Sequence, residues 1–385
     1  MPPPAIVLAA GEGTRLRPLT KHRPKPMLPA ATKPILAHVL DVLIDAGVTD
    51  ITVVVGHGSE RVRSHFGPTY RNVPLAYVTQ ERQLGTGHAV LAAEEAVDDT
   101  FLVVYGDQIA DGDLVRSVAT THEAGAAATL GLARRSDLSR YGGVALEDGR
   151  VTEIVEHPSE NGSYRLNAGV YAFEPGIFDA IRAVEPRSGE RSLVDAIDHL
   201  LANDEPVRGV VSDGLWVDAA YPWDLLRVSI ELLEADGFDG AAPTDPAAQP
   251  AVHETAVIRE PVAVDADCEI GAGAVVGPHV SLGANATVES NAVVERSVID
   301  RDGRVGANAT VIECVTGVGA EIGPGSTIPG GPGDVRVGDR IYEDRDLGAL
   351  LADRVRDRGG ATYAPGAIVD VGSTIEAGTT VRDRR

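Results

Sequence analysis

Along the first 235 positions, apolar residues come in short unbroken runs separated by stretches where they recur three and four residues apart. The runs AIVLAA (5–10), ITVVV (51–55), PLAYV (74–78) and FLVVYG (101–106) are too short for helices and lack polar alternation, which predicts strands buried on both faces. The intervening stretches 34–46, 59–66, 86–96 and 111–124 have helical spacing. This alternation predicts an α/β, Rossmann-like domain over 1–236 with a mostly parallel sheet and helices on both faces. Parallel sheets bind ligands beyond the carboxyl ends of their strands. The glycine-containing turn after the first run and Asp107 after the fourth both lie at such ends.

A stretch rich in Gly, Pro and Asp at 237–250 has no periodicity and reads as a linker. The pattern then changes. Val252, Ile258, Val264, Ile270, Val276, Leu282 and Val288 recur every six residues, with small residues between them. The register slips near VVERSVID and resumes at Ile299, Val305 and Val311, then Ile322 and Ile328. Six matches neither a helix nor a free strand. It suits a triangular parallel β-helix whose aliphatic residues point to the axis, with about four coils between 252 and 328. The second domain is thus expected over 251–385. Within it, 330–339 reads as loop, DLGALLADRVRD (346–357) as a helical excursion, and 361–381 as a last partial coil.

Charge narrows the function. The chain has 57 acidic and 34 basic residues and a net charge of −23, which disfavours nucleic acid and anionic membranes as partners. An acidic, lysine-poor surface resembles proteins of a salt-loaded cytoplasm, where dense counterions screen self-repulsion. Cys268 and Cys314 are too few and too isolated for a disulfide framework and read as buried thiols. No stretch reaches transmembrane length and MPPPAIVLAA lacks the basic region of a signal peptide, so a cytoplasmic location is expected.

The three lysines of the chain, Lys21, Lys25 and Lys33, all fall beside the first glycine-containing turn. Gly11, Gly13 and Thr14 can turn backbone N–H groups toward an anion. Arg15 offers a planar fork for phosphate oxygens, and Lys25, clamped between Pro24 and Pro26, a compact charge. Together these residues read as a polyphosphate site.

The segment GEGTRLRPLT…RPKPML resembles the signature of sugar-1-phosphate nucleotidylyltransferases, and the resemblance extends over 5–235. With the hexads, the chain resembles the archaeal bifunctional branch that pairs N-acetylglucosamine-1-phosphate uridylyltransferase with glucosamine-1-phosphate acetyltransferase. That resemblance implies a left-handed β-helix and a reaction joining UTP to a sugar 1-phosphate, N-acetylglucosamine or glucose 1-phosphate, with release of pyrophosphate. It implies nucleotide contacts from Leu8, Ala9, Ala10, Gly11, Gly13 and Thr14, and catalytic roles for Arg15 and Lys25. In TQERQLGTGHA (79–89), which resembles the uridylyltransferase form of the base loop, Gln80 would read the uracil edge beside Gly85 and Thr86. Asp107 and Asp218 would hold Mg²⁺, although the glycine usual after the second aspartate is Ala219-Ala220 here. Gly142, Glu156 and Asn167 match sugar contacts, while the lysine many relatives carry after the glutamate is His157. A homo-oligomer, a trimer above all, is also implied.

Three alternatives stand beside this reading. The first is dTTP as nucleotide, since one methyl is weakly discriminated. The second is acetyl transfer in the β-helix, for which His279 and Tyr363 are isolated and no lysine follows Lys33. The third is a non-catalytic regulatory subunit, against which the retained Arg15, Lys25, Asp107 and Asp218 argue.

Overall fold

A computed structural model describes residues 2–122, 125–135, 141–156, 164–187, 189–235 and 248–382. The expected linker falls outside these residues as far as 247, as does His157. The chain packs as two compact units. One combines Met1–Glu12, Pro24–Met27 and Ile35–Val217; the other combines Gly13–Arg23, Leu28–Pro34 and Asp218–Arg385.

The first unit is built on a ten-stranded sheet. Its centre is parallel, as the apolar runs require. Ala5–Ala9 lies between Ile51–Val55 and Phe101–Tyr105, and Val73–Thr79 continues beyond Ile51–Val55. Past Phe101–Tyr105 the sheet becomes mixed, because Arg165–Phe173 enters antiparallel both to it and to Ala128–Ala133. Gly142–Glu147 and Arg150–Glu156 form a hairpin, the first strand also pairing with Arg165–Phe173 and the second with Val207–Ser212. Helices Ile35–Asp45, Ser59–Phe66 and Gly112–Thr121 fall where the spacing predicts them. The pattern at 86–96 divides into a helix, Thr86–Ala92, and a 3-10 turn, Glu94–Ala96. Ile6, Val54, Phe101, Val103, Tyr171 and Phe173 are fully buried in one core, and Phe101 stacks on Phe178 with ring centres 5.3 Å apart.

In the second unit the hexads wind into three all-parallel sheets of seven, seven and six strands, a parallel β-helix. The axial aliphatics Ile270, Val276, Leu282, Val288, Val294, Ile299, Val305, Val311, Ile322 and Ile328 are buried, as are the small residues Ala274, Ala286, Ala292, Ala309 and Ala320 two positions before an aliphatic. Coils turn at residues with positive φ, among them Asp267, Asn285, Asn291, Asp302 and Asn308. Asn and Asp tolerate the left-handed region because their short side chains can bond locally. The register slip is one residue: paired positions are 18 apart at Val262↔Val280 and 17 apart at Ser281↔Val298.

The expected helical excursion at 346–357 is not helical. The interruption is an antiparallel hairpin whose first strand, Gly333–Val337, falls in the stretch read as loop and whose second, Arg340–Arg345, follows it. The segment from 346 onward resumes the β-helix as strands Ala349–Leu351 and Arg356–Asp357. Its apolar spacing fits a helix, but Gly348 lies so close to the Ile312 carbonyl that a Cβ there would sit 2.2 Å from the oxygen. Ala349 pairs with Cys314, so ladder hydrogen bonds to the preceding coil replace helical ones. After the hairpin the chain completes a third side, adds a full coil and ends on a partial one.

Candidate active site

In the first unit, the strand order gathers four loops at one edge of the sheet. Leu8, Ala9 and Ala10 are buried at the end of the first strand. Gly106 follows the fourth strand and donates its N–H to the Leu8 carbonyl at 2.9 Å, and Asp107 comes next. Gly56 ends the second strand, where a Cβ would sit 2.7 Å from the Ala10 carbonyl. Gln80 follows the third and donates its N–H to Val55. Beyond Ala10, nothing lies within 4 Å of where a Cβ on Gly11 would stand, so this turn is open.

The structure joins two of the expected site residues directly. Lys25, in the 3-10 turn Lys25–Met27 between buried prolines, brings its Nζ 2.8 Å from Asp107 Oδ2. The lysine side chain is only 12% exposed and the carboxylate 29%, so their attraction is less screened than at an open surface.

The expected base loop is fixed from both sides. Gln80 is buried, and its Nε2 donates to the Gly85 carbonyl at 3.1 Å and meets His88 Nδ1 at 3.0 Å. The amide is thereby oriented with its nitrogen engaged. His88 thereby helps to hold the Gln80 amide in place. Gly85 has φ 93°, and a Cβ there would sit 2.4 Å from the Arg191 carbonyl, so glycine is required. Thr86 Oγ1 accepts the Leu193 N–H at 2.9 Å, and Gln83 Nε2 donates to the Ala10 carbonyl at 2.7 Å, tying this loop to the first strand.

The expected sugar residues also meet. Gly142 is in register with Glu156 across the hairpin, and a Cβ on Gly142 would face Asn167 Cβ at 3.7 Å. Trp216, whose indole N–H donates to the Ala168 carbonyl at 3.0 Å, lies edge-on to Tyr141. The strand Trp216–Asp218 pairs with Gln108–Ala110, the strand that follows Asp107.

The second unit holds the rest of the signature. Gly13 adopts the left-handed conformation, φ 64°, and its carbonyl accepts from the Leu16 N–H and from Thr20 Oγ1. This shapes the turn carrying Thr14 and Arg15, both exposed. The Arg15 guanidinium lies over the Tyr221 ring, 5.6 Å from its centre. Asp218 is buried and its carbonyl accepts from Arg227. The alanines after it need no glycine conformation: neither has positive φ, and Asp224 Oδ2 accepts the N–H groups of Ala220 and Tyr221.

Lys21, grouped with the phosphate site by the sequence, pairs instead with Asp370 at 3.4 Å. Arg23, passed over, is buried against Asp300 and Asp353. In the β-helix, Tyr363 is buried with its hydroxyl on Asp357, and His279 Nε2 meets Glu234 at 2.8 Å. Among the described residues no group of three or more His, Cys, Asp or Glu could hold a metal. A cation bound by two carboxylates and phosphate oxygens needs no such group. None of the described helices is long and apolar enough to cross a membrane.

A sheet domain with its glycine turn, lysine–aspartate pair and the expected base loop at one strand edge is the arrangement of a nucleotide-handling class. The chain belongs to the Nucleotidyl transferase family, whose profile matches residues 4–235, and the GMPPB C-terminal domain profile matches 258–356. It is a sugar-1-phosphate nucleotidyltransferase similar to two archaeal proteins in particular. One is the UTP–glucose-1-phosphate uridylyltransferase AglF of Haloferax volcanii, 39% identical over 57% of this chain and 92% of that protein. The other is the bifunctional protein GlmU of Methanocaldococcus jannaschii, 37% identical over 61% of this chain but only 55% of GlmU. A solved structure of a putative glucose-1-phosphate thymidylyltransferase from Bacillus anthracis superposes with a TM-score of 0.53 at 26% identity, covering 59% of this chain and 93% of that one.

Proposed function

We propose that this protein is a uridylyltransferase that joins UTP to glucose 1-phosphate or N-acetylglucosamine 1-phosphate. The observation that carries the proposal is the Lys25–Asp107 pair beside the open Gly11 turn at the carboxyl edge of the parallel strands. With Gln80 Nε2 engaged by Gly85 and His88, the amide oxygen is the group left for a base. An acceptor suits the N3–H of uracil and not the bare N3 of cytosine. The similarity to AglF and GlmU supports UTP in the same direction.

The reaction needs no protein nucleophile. A phosphate oxygen of the sugar phosphate forms a bond to the α-phosphorus while the α–β anhydride bond breaks, and pyrophosphate leaves with the electron pair. Arg15 and Lys25 neutralise charge that builds on the transferred and departing phosphates. The backbone at Leu8–Gly11, with Gly13 and Thr14, holds the nucleotide. Gly142, Glu156 and Asn167 orient the sugar, so the attack occurs within one bound pair. The residues expected to hold a metal, Asp107 and Asp218, are both carboxylates, the hard oxygen donors that a divalent ion such as Mg²⁺ prefers, and that of Asp107 is partly exposed. Mg²⁺ held there would supply further charge neutralisation at the phosphate oxygens.

The test is pyrophosphate release with UTP or dTTP against a panel of sugar 1-phosphates, with Mg²⁺ at molar KCl. Turnover with UTP and a gluco-configured sugar phosphate, exceeding that with dTTP, is expected. Preference for dTTP, or binding of UTP without any turnover, overturns the reading.

A further inference from the structure

One corner of the β-helix carries three aspartates on its coils, each facing the signature segment Gly13–Arg23. Asp300 follows the strand Val298–Ile299, Asp353 follows Ala349–Leu351, and Asp370 follows Ala367–Val369. The Arg23 side chain is 7% exposed, with Nη1 2.6 Å from Asp300 Oδ2 and Nη2 3.7 Å from Asp353 Oδ1. Lys21 reaches Asp370 on the last full coil. The corner is built for this. Asp353 Oδ1 also accepts the Val318 N–H at 3.0 Å, and Asp300 Oδ1 accepts that of Arg301 at 2.8 Å. Gly317, on the coil between, makes room: a Cβ there would fall 2.4 Å from Asp353 Oδ1.

A second contact acts on the same segment. The hairpin inserted into the β-helix carries Tyr342, whose ring lies 5.0 Å from Tyr221 and 5.3 Å from Trp223, and whose hydroxyl bonds to that of Tyr221 at 3.1 Å. Tyr221 and Trp223 stack in parallel at 4.7 Å, and Tyr221 in turn carries the Arg15 guanidinium. The hairpin therefore supports the aromatic platform on which Arg15 rests. The aspartate corner grips the same segment eight residues further on.

We infer that the β-helix is a positioning element for nucleotidyl transfer, in which Asp300 and Asp353 anchor Arg23, and Tyr342 backs the Tyr221 platform, so that Arg15 is held in its working place. This rests on the uridylyltransferase reading above for the role of Arg15. The physical argument is that a charge acting on a transition state must be pre-placed, and an exposed arginine on a short turn is not placed by its own backbone. The buried guanidinium is held by short-range charge attraction between two carboxylates, where burial screens it little.

The test uses the full chain and two readouts. Trypsin can cut after Arg15 and Lys21, while Arg17, Arg23 and Lys25 are each followed by proline and resist. The rate of cutting after Arg15 and Lys21 thus reports release of the segment without reference to activity. For Asp300→Asn with Asp353→Asn, cutting is expected to accelerate about tenfold or more. The turnover number should fall roughly 100-fold, the scale of a misplacement near 1 Å, with the KM for UTP changed far less. Asp353→Asn alone, which keeps the acceptor for Val318, serves if the double variant does not fold and should show a smaller change of the same kind. Glu376→Gln, in an exposed pair with Arg358 on the last coils, is the control and should change neither readout. Unchanged cutting, faster cutting with wild-type turnover, or lost turnover without faster cutting each overturns the inference. Should the wild type itself release no pyrophosphate, the uridylyltransferase reading fails, while the cutting rates still decide whether the corner holds the segment.

Discussion

Lys25 shows how much one residue depends on its surroundings. Its sequence neighbours, Pro24 and Pro26, announce a presented lysine, and its partner Asp107 is supplied by another strand. Replacing it with alanine leaves Asp107 uncompensated and removes a charge aimed at the phosphates. The expected outcome for Lys25→Ala is a loss of turnover on the order of 10²–10³-fold, as for other preorganised charge donors, with an unchanged circular-dichroism spectrum. Near-normal turnover would refute the assignment. Gln80 was chosen by resemblance alone. That its nitrogen is engaged by Gly85 and His88 is visible only in three dimensions. Arg23 was missed because an arginine in RPKP looks like one more phosphate ligand. The available signal was its place between Lys21 and Lys25 opposite a chain rich in aspartate, too general to name Asp300 or Asp353.

At the scale of elements, strands and coils were read well where the period was strong. Central strands and hexads repeat their pattern many times, so single exceptions do not mislead. The hairpin Gly333–Val337/Arg340–Arg345 escaped notice because the glycines and Pro332 at its start mark loop, and the strand Ala349–Leu351 was misread because its short segment supports two periods. Contacts with the preceding coil, such as Gly348 against Ile312, decided between them. The coils also bury both thiols. Burial pushes Cys268 up from 9.0 to about 11, and raises Cys314 and Tyr363 as well. An unfolded thiol loses its proton near pH 9 while the folded one keeps it, so the unfolded state binds fewer protons there. Stability is therefore expected to be full below pH 9 and to fall as pH rises toward about 11. Urea midpoints measured across that range check this, and Cys268→Ala should flatten the decline.

The whole molecule is dominated by its charge. With a net charge of −23, the folded chain repels itself at low ionic strength. Added salt shortens the Debye length to about 3 Å at 1 M, which removes most of that repulsion. The melting temperature is expected to rise between about 0.1 and 2 M KCl. A flat or falling profile would sink the view that this surface is adapted to concentrated salt. Ion pairs such as Arg358–Glu376, exposed at both ends, will weaken over the same range and contribute little either way.

The chain's own order of residues determined its two kinds of architecture, the axial positions of the β-helix, the glycine turn and the identity of the charged groups that suit phosphate. These are local properties, written in spacing and in neighbouring residues. Tertiary structure alone decided that Lys25 meets Asp107, that His88 orients Gln80, and that Lys21 and Arg23 are spent on the β-helix. The reason is that a charge chooses its partner by distance in space, and such distances are set by strand order and coil number summed over the whole fold.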